Sequence, residues 1–231
     1  MKISDRLKEI SEFISPKDKV IDIGCDHALL DIYLCEQYKD LKIIASDVHE
    51  GALNNARTNI EKYNMTERID LRLGDGLTII NPEEIDTILM SGMGFYTIKD
   101  VLSNEVKMVN VKKIVVQSNT DIVKTRKFII KLGFKIVKEK LVKDNDIIYT
   151  IMEFNKGHEA YTYEEIYFGP RILDNKDDLF YEYYSKKLLK YENLLLQLPK
   201  YEIKSILHHK KLIRIIRREL TTKQIDIKLN K

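Results

Sequence analysis

Short β-rich runs alternate with helical patterns through the first two thirds of the 231-residue chain. The runs at residues 19–25 and 42–48 are each followed by a helical pattern, and the alternation continues to residue 132. Strands that alternate with helices form βαβ units around a parallel sheet. The last two runs, residues 135–142 and 147–154, flank the turn pair Asp144-Asn145, which predicts a closing antiparallel hairpin. The predicted fold class is therefore α/β, with a mostly parallel sheet.

After residue 155 the pattern changes to the spacing of a coiled coil. Apolar residues from Tyr184 to Leu198 step by four and three along the chain, and a similar series runs from Ile206 to Leu220. Pro199 lies between the two series and breaks the helical hydrogen bonding. We therefore expect two antiparallel helices. The predicted domains are a sheet domain at residues 1–155 and a connector with a C-terminal coiled-coil helical domain at residues 156–231.

Charge is unevenly divided along the chain. Residues 1–155 hold 23 Lys and Arg against 25 Asp and Glu, a net −2, whereas residues 156–231 hold 16 against 11, a net +5. Within residues 200–218, seven basic residues are accompanied by Glu202 alone. Such a stripe suits a polyanion, although a solvated helix face explains the same composition. The candidate polyanion-binding residues, which would contact RNA if the polyanion is a nucleic acid, are Lys204, Lys210, Lys211, Arg214, Arg217 and Arg218.

Composition and run lengths argue against several classes of protein. Apolar residues make up 44% and charged residues 32% of the chain, which is typical of a globular protein rather than a disordered one. The apolar runs fall far short of the roughly 20 residues that a membrane helix needs, and Asp5, Glu9 and Glu12 argue against a signal peptide. Cys25 and Cys35 have no second pair, which argues against structural zinc and a disulfide scaffold. We expect a cytoplasmic protein.

The first strand ends in an acidic glycine turn, Asp22-Ile-Gly24-Cys-Asp26-His27. In open α/β sheets ligands bind beyond the carboxyl ends of the strands. A dinucleotide fingerprint needs further glycines after Gly24, but Asp26 and Leu29 occupy those positions, and a carboxylate there repels a pyrophosphate. S-adenosylmethionine carries an ammonium and a sulfonium group and no phosphate, so nearby carboxylates favour it. The alternative, Asp26 as a helix N-cap, leaves Asp22 unexplained.

The next strand ends carry further candidate cofactor ligands. Asp47, about twenty residues after the glycine turn, is placed to bind both ribose hydroxyls, although an Asp that caps the following helix is common. Asp75 between two glycines can accept from an adenine amino group, and a bare turn explains it equally well. The loop at residues 91–94 is expected to face the reacting end of the cofactor. Gln117 and Asn119 close the fifth strand with amide groups at the same rim.

These motifs resemble those of a known family. The set is Asp22-Ile-Gly-x-Asp26-His27-Ala-x-Leu, Gly74-Asp75-Gly76-Leu77, Gly92-Met93-Gly94, Gln117-x-Asn119 and Gly169-Pro170, with an opening Ser4-x-Arg6-Leu7. It looks like the bacterial tRNA (adenine(22)-N1)-methyltransferase family, TrmK, over nearly the whole chain. Two positions depart from that family: Phe95 stands where it usually has a further glycine, and Ser118 where it has a proline.

The resemblance implies a class I S-adenosylmethionine-dependent methyltransferase, with a Rossmann-like sheet, that methylates N1 of adenine 22 in tRNA. Adenine N1 is the nucleophile, so the protein mainly has to align it with the sulfonium methyl and stabilise the cation that forms. Asp26 is the candidate for the second task, Asn119 would hold the base edge and His27 would assist, although a polar residue at a helix start explains His27 equally well. The target base has to be extruded or already unstacked. The expected cofactor-binding residues are Arg6, Asp22, Gly24, Asp26, His27, Asp47, Val48, Asp75, Gly76, Ser91, Gly92 and Met93.

Two other functions remain open at this point. The same fold and cofactor serve methyltransferases of another RNA position, a small molecule or a protein, and a non-catalytic RNA-binding protein would keep a relic cofactor pocket. The basic helical hairpin favours tRNA over a small molecule, because phosphate contacts position a folded RNA. Neither a metal site nor a stable protein partner is expected.

Overall fold

The computed structural model of the protein describes residues 1–229, with side-chain surroundings described up to Thr221. The chain forms two compact units, Met1–Arg171 and a second unit that starts at Ile172. Residues 156–171, which the sequence pattern groups with the helical hairpin, belong to the first unit. Within the described range, no helix is both long enough and apolar enough to span a bilayer.

The first unit is built on a seven-stranded sheet. In chain order the strands are β1 (Val20–Ile23), β2 (Ile43–Asp47), β3 (Ile69–Leu73), β4 (Thr87–Met93), β5 (Lys113–Ser118), β6 (Phe134–Asp144) and β7 (Ile147–Lys156). Their order across the sheet is β3-β2-β1-β4-β5-β7-β6. The first five strands are parallel, and β7 runs antiparallel to both β5 and β6. The predicted α/β fold with a closing antiparallel hairpin is confirmed.

Helices alternate with the strands and continue after them. They are α1 (Asp5–Ser11), α2 (Leu29–Gln37), α3 (Glu50–Lys62), α4 (Phe95–Leu102), α5 (Ile122–Lys131), α6 (Tyr163–Phe168), α7 (Pro170–Asp174), α8 (Asp178–Gln197) and α9 (Ile203–Leu229). Two short 3-10 helices, Gly76–Ile79 and Pro82–Glu84, lie between β3 and β4.

The central strands carry apolar residues towards two separate cores. Consecutive side chains of a strand point to opposite faces of its sheet. In β4, Ile88 and Met90 belong to one buried cluster and Leu89 belongs to the other. Both faces of the sheet are therefore covered, and this is why the central strands are apolar throughout rather than alternately.

A buried ion pair holds the segment after β7 within the first unit. Arg126 of α5 and Glu139 of β6 lie 2.7 Å apart, and both side chains are shielded from solvent. The Arg126 guanidinium also donates to backbone carbonyl oxygens at the end of α6. Gly169 approaches this pair so closely that a Cβ atom there would lie 2.6 Å from both side chains. The pair thus satisfies the carbonyls that end α6 and anchors residues 156–171.

The second unit contains a helical hairpin formed by α8 and α9. The side chain of Asp177 caps α8 by accepting from the backbone N–H of Phe180 at 2.8 Å. The helix stops at Leu198, whose extended backbone is the conformation favoured before Pro199. The predicted helical hairpin is confirmed, and its buried apolar residues include Tyr184, Leu212, Ile213, Ile215 and Ile216.

Candidate active site

A cavity of about 530 Å³ lies at the carboxyl ends of β1 and β4. Its walls come from the turn after β1, the end of β4 and the first helix, α1. This edge is where open α/β sheets bind their ligands. The lining residues are Arg6, Leu7, Asp22, Gly24, Cys25, Asp26, His27, Leu29, Leu30, His49, Ser91, Gly92 and Met93.

A larger cavity of about 890 Å³ opens at the opposite edge of the sheet, where β1, β2 and β3 begin. Three of its charged residues form ion pairs with one another: Arg72 lies 2.7 Å from both Asp70 and Glu84. Among the described residues, none of the strand-end motifs lines it. We therefore assign the smaller cavity as the candidate active site.

The turn after β1 has an unusual backbone that sets the position of Asp26. Gly24, Asp26 and Ala28 all have positive φ angles, of 75°, 50° and 53°. Asp tolerates this left-handed conformation better than most residues. The φ angle of Gly24 lies in the region that residues with a side chain rarely adopt, so this position favours glycine, and the terminal methyl group of Met93 lies against it. The turn presents the Asp26 side chain, 70% exposed, at the cavity rim.

The helix-capping interpretations of Asp26 and Asp47 are wrong. Ala28 occupies the N-cap position of α2 and His49 that of α3, and neither helix start has a side-chain cap. Asp47 instead accepts hydrogen bonds from the backbone N–H groups of His49, at 2.9 Å, and Asp26, at 3.3 Å. The Asp47 carboxylate therefore fixes the turn after β1 to the end of β2.

Asp22 brings a buried carboxyl group to the cavity. Its side chain is 4% exposed, and its Oδ1 atom has no hydrogen-bond donor among the described residues. Burial raises the pKa of Asp22 to about 7, and the negative charge of Asp47 acts in the same direction. Burial also raises the pKa of the neighbouring Cys25 thiol, so Cys25 contributes a neutral wall. A buried carboxyl oxygen without a donor is a site for a cationic group of a ligand.

Arg6 connects α1 to the loop at the end of β4. Its guanidinium donates to Ser91 Oγ at 2.8 Å and to Gln117 Oε1 at 2.6 Å, and it lies over the Tyr149 ring, 5.4 Å from the centroid. The buried Gln117 amide oxygen also accepts from the Gly92 N–H at 3.1 Å. The loop at the end of β4 is therefore held by hydrogen bonds from both α1 and β5.

Asn119 also stabilises the loop at the end of β4. Its amide nitrogen donates to the Gly92 carbonyl at 2.7 Å, and its amide oxygen accepts from Gln117 Nε2 at 2.9 Å. Its backbone N–H donates to the Met93 carbonyl at 2.8 Å. Ser118 holds the next turn, because its hydroxyl donates to the Thr120 carbonyl at 2.7 Å. A serine hydrogen bond thus stabilises the loop where the resembling family has a proline.

An aromatic and cationic cluster begins α4, directly after the strand-end loop. The rings of Phe95 and Tyr96 meet edge to face, with centroids 5.3 Å apart. Lys124 of α5 places its ammonium 5.8 Å from the centroid of each ring. Tyr96 is 65% exposed. This cluster offers an exposed π surface beside a positive charge, which is suitable for a nucleobase.

The structure brings most of the predicted site residues together. Of the expected cofactor ligands, those that line the cavity are Arg6, Asp22, Gly24, Asp26, His27, Ser91, Gly92 and Met93. Of the described residues, Asp47, Val48, Asp75, Gly76 and Asn119 do not line it. Asp47 and Asp75 lie on the neighbouring strand ends, which are joined by a hydrogen bond from the Gly74 N–H to the Asp47 carbonyl at 3.0 Å.

Sequence reasoning missed several lining residues. Five lining residues were not among the predicted ligands: Leu7, Cys25, Leu29, Leu30 and His49. Leu7 and Leu30 stand in the quoted motifs, and all five lie within three residues of a predicted ligand. The chemistry of the lining fits S-adenosylmethionine, because two carboxyl groups and glycine backbone suit an ammonium and a sulfonium better than a pyrophosphate.

The candidate RNA-binding residues lie on the exposed side of α9. Consecutive residues of an α-helix are separated by 100°, so the six basic residues span an arc of roughly 140°. The buried residues of α9 occupy the opposite side. Arg217 pairs with Glu192 at 2.6 Å and Arg218 with Glu219 at 3.1 Å. We call the six residues the α9 basic face: Lys204, Lys210, Lys211, Arg214, Arg217 and Arg218.

Comparison with known proteins points to one family. The model of the TrmK family, described as tRNA (adenine(22)-N(1))-methyltransferase, matches residues 20–219. The tRNA (adenine(22)-N(1))-methyltransferase of Bacillus subtilis is 27% identical over 195 residues, which cover 81% of this chain and 82% of the relative.

Solved structures with the cofactor or its product are also similar. Streptococcus pneumoniae Sp1610 in complex with S-adenosyl-L-methionine has a TM-score of 0.86 and 27% identity, over 95% of this chain and 100% of that one. M. capricolum TrmK in complex with S-adenosyl-homocysteine has a TM-score of 0.84 and 28% identity, over 95% and 98% of the two chains.

Proposed function

This chain belongs to the TrmK family of tRNA (adenine(22)-N(1))-methyltransferases, and from that premise we propose how its residues perform the reaction. The enzyme transfers a methyl group from S-adenosyl-L-methionine to N1 of adenine 22 in tRNA. The observation that supports the residue roles is the acidic cavity at the carboxyl ends of β1 and β4, with Asp22 buried in it and Asp26 exposed at its rim.

The cofactor is held by residues of three neighbouring strand ends. Asp22 binds the ammonium group, because its buried Oδ1 has no other donor among the described residues. Asp47 binds the ribose, since each of its oxygens accepts one backbone N–H and keeps a second acceptor site. Asp75 and Gly76, at the end of β3, take the adenine, with Val48 beside them. When bound, S-adenosylmethionine supplies a methyl group made electrophilic by its sulfonium.

Asp26 is the catalytic residue of this proposal. Adenine N1 has its lone pair in the ring plane and attacks without prior deprotonation, so the protein does not need a general base. Positive charge appears on the base as the N1–carbon bond forms, and a carboxylate at the cavity rim stabilises it. His27 Nε2 lies 3.6 Å from Asp26 Oδ2 and orients that carboxylate.

The target base is positioned by the β4 loop and the α4 cluster. Asn119 binds the base edge and, through its hydrogen bonds with Gly92 and Gln117, fixes the loop that carries Met93. Tyr96 and Phe95 stack on a base next to the target, with Lys124 near its phosphate. Because N1 of a paired adenine is inaccessible, the adenine leaves its stack before it reacts.

The α9 basic face holds the tRNA backbone. Phosphate contacts of this kind position a nucleic acid without specifying its sequence. The sheet domain thus performs the chemistry and the helical domain provides affinity. We place the enzyme in the cytoplasm, where its tRNA substrate is made.

Nucleoside analysis tests the proposal directly. The protein is incubated with labelled S-adenosylmethionine and unmodified tRNA transcripts, and the modified position is mapped. We expect N1-methyladenosine at position 22, absent from a transcript with guanine in place of that adenine. Methylation of another nucleoside would contradict the assigned position, and binding of both ligands without transfer would indicate a binding protein.

A further inference from the structure

Asp31 is a fully buried acid that the reaction described above does not use. It lies in the first turn of α2, is 0% exposed and stands in the chain between the core residues Leu30 and Ile32. Both of its carboxyl oxygens lack a hydrogen-bond donor among the described residues. Burying an ionised carboxylate without partners costs several kcal/mol. Asp31 therefore needs either a proton or a cation.

Asp22 is the neighbour that meets Asp31. The two carboxyl groups are within hydrogen-bonding reach of each other. Ionised carboxylates only accept hydrogen bonds, so this contact becomes a hydrogen bond only when one of the two carries a proton. Burial, and then the charge of Asp22, raise the pKa of Asp31 well above its usual range. Asp31 is thus the proton donor and Asp22 the acceptor.

The surroundings of the pair are acidic or neutral. Asp47 repels a negative charge on Asp22, and the Cys25 thiol is neutral. Arg6 directs its guanidinium to Ser91 and Gln117. Further titratable groups at the cavity are Asp26, His27 and His49. In the described part of the chain, none of the groups that shift the pKa of either carboxyl is basic.

We propose that Asp31 is a positioning residue: it keeps a proton and donates it in a hydrogen bond to Asp22, the residue that holds the cofactor. Binding of the cofactor's ammonium group at Asp22 then displaces a second proton from the pair into solvent. This inference rests on the proposed function, because it takes Asp22 as the ammonium ligand. In the free enzyme the pair shares more than one proton near neutral pH. In the complex Asp22 is ionised, while Asp31 keeps its proton and donates to it. The second proton passes to the buffer.

Calorimetry of S-adenosyl-homocysteine binding counts that proton. The titration is run between pH 6.0 and 7.5 in buffers of different ionisation enthalpy. A pKa of about 7 for Asp22 predicts release of close to one proton at pH 6 and roughly half a proton at pH 7. The affinity should rise roughly eightfold from pH 6.0 to 7.5. Binding without net proton release in this range would overturn the proposal.

Asp31→Leu removes the donor and keeps the site apolar. Because the hydrogen bond with Asp31 lowers the pKa of Asp22, its loss should raise that pKa further. We expect more proton release at pH 7.5 than in the wild type, and weaker binding at that pH. Asp31→Asn keeps an N–H donor without a charge and should give a proton count close to wild type. An unchanged proton count in Asp31→Leu would refute the role of Asp31.

Cys35→Ala is the matched control. Cys35 is also buried on α2, one turn after Asp31, so its loss perturbs the same part of the helix while both carboxyl groups stay in place. We expect a wild-type proton count even if the affinity falls. If Asp31→Leu does not fold, Asp31→Asn still decides, because a proton count far from wild type would contradict a neutral donor at residue 31. Failure of the wild-type protein to bind S-adenosyl-homocysteine would instead contradict the proposed function.

Discussion

The cavity of the first unit and the α9 basic face of the second use charge in opposite ways. The cavity has few charged groups, and its central carboxyl, Asp22, is buried with no donor at Oδ1 among the described residues. The α9 basic face has six charged groups, all exposed. A buried charge acts at one position and at short range, whereas exposed charges act together and are screened by salt. Changes in the cavity should therefore alter turnover, and changes on α9 should alter tRNA affinity.

The largest expected effect comes from Asp26→Ala. Loss of a group that stabilises transition-state charge lowers kcat by about 100- to 1,000-fold. Since the side chain is exposed at the rim, the fold and tRNA affinity should be kept. Steady-state methylation of tRNA gives kcat, and filter binding gives the tRNA Kd. Glu50→Ala, which removes an exposed acid at the start of α3, is the control and should behave as wild type. Near wild-type kcat for Asp26→Ala would remove Asp26 from the mechanism.

A reduction of charge on α9 should have the complementary effect. Replacing Lys210, Lys211, Arg214 and Arg217 by Gln is expected to weaken tRNA binding about 10- to 100-fold at low salt, and to reduce the slope of log K against log salt by about three. Affinity for S-adenosyl-homocysteine should not change.

The matched control for α9 removes the same number of charges elsewhere. Four exposed lysines near the opposite edge of the sheet serve for this: Lys17, Lys19, Lys39 and Lys42. Because these positions are far from the motifs, their change to Gln should leave the salt slope close to wild type. Equal slopes for the two quadruple variants would show that net charge, not the α9 basic face, binds the tRNA.

The pH dependence of the free energy of unfolding should distinguish the buried pair, Asp22 and Asp31, from exposed acids. The pKa of Asp22 is raised to about 7 in the folded state, so between pH 5 and 8 the folded protein binds more protons than the unfolded chain. Stability therefore falls as pH rises, by about 2–3 kcal/mol across this range from Asp22 alone, and the raised pKa of Asp31 adds to the fall. Urea denaturation of the free protein measures it. Asp31→Asn should flatten the dependence, and an equally steep curve for that variant would contradict the pairing.

The smallest expected effect is at the aromatic cluster. Tyr96→Ala should raise KM for tRNA about five- to tenfold with little change in kcat, because stacking on one base is worth about 1–3 kcal/mol. Tyr96→Phe keeps the ring and should behave as wild type. The same increase in both variants would assign the effect to the hydroxyl rather than to stacking.

The sequence predicts local elements and strand-end motifs well, because both depend on residues that are close along the chain. The runs predicted at residues 19–25, 42–48, 135–142 and 147–154 begin and end within two residues of β1, β2, β6 and β7. Asp22, Gly24 and Asp26 were found because the carboxyl ends of parallel strands form binding sites. The glycine at residue 24 is favoured by its positive φ angle, and that backbone conformation is visible only in three dimensions.

Contacts between distant residues could not be predicted from the sequence. Arg6 meets Gln117, which is 111 residues away, and no local pattern links them. Asp31 looks like an ordinary acid in the first turn of a helix, and only its burial beside Asp22 gives it a chemical role. The compact units divide after Arg171 because Arg126 and Glu139 anchor the segment that follows β7, and a composition change at residue 155 does not reveal that ion pair.

The order of the strands has a consequence for how the enzyme is made. β7 pairs with β5 on one side and with β6 on the other, although it is the last strand of the sheet to be synthesised. Until it inserts, β5 is an apolar edge strand, the kind of edge that promotes aggregation. Ile151 of β7 then pairs with Gln117, and Tyr149 comes to lie beneath Arg6. A nascent chain therefore completes the support of the loop at the end of β4 only when the final strand has left the ribosome.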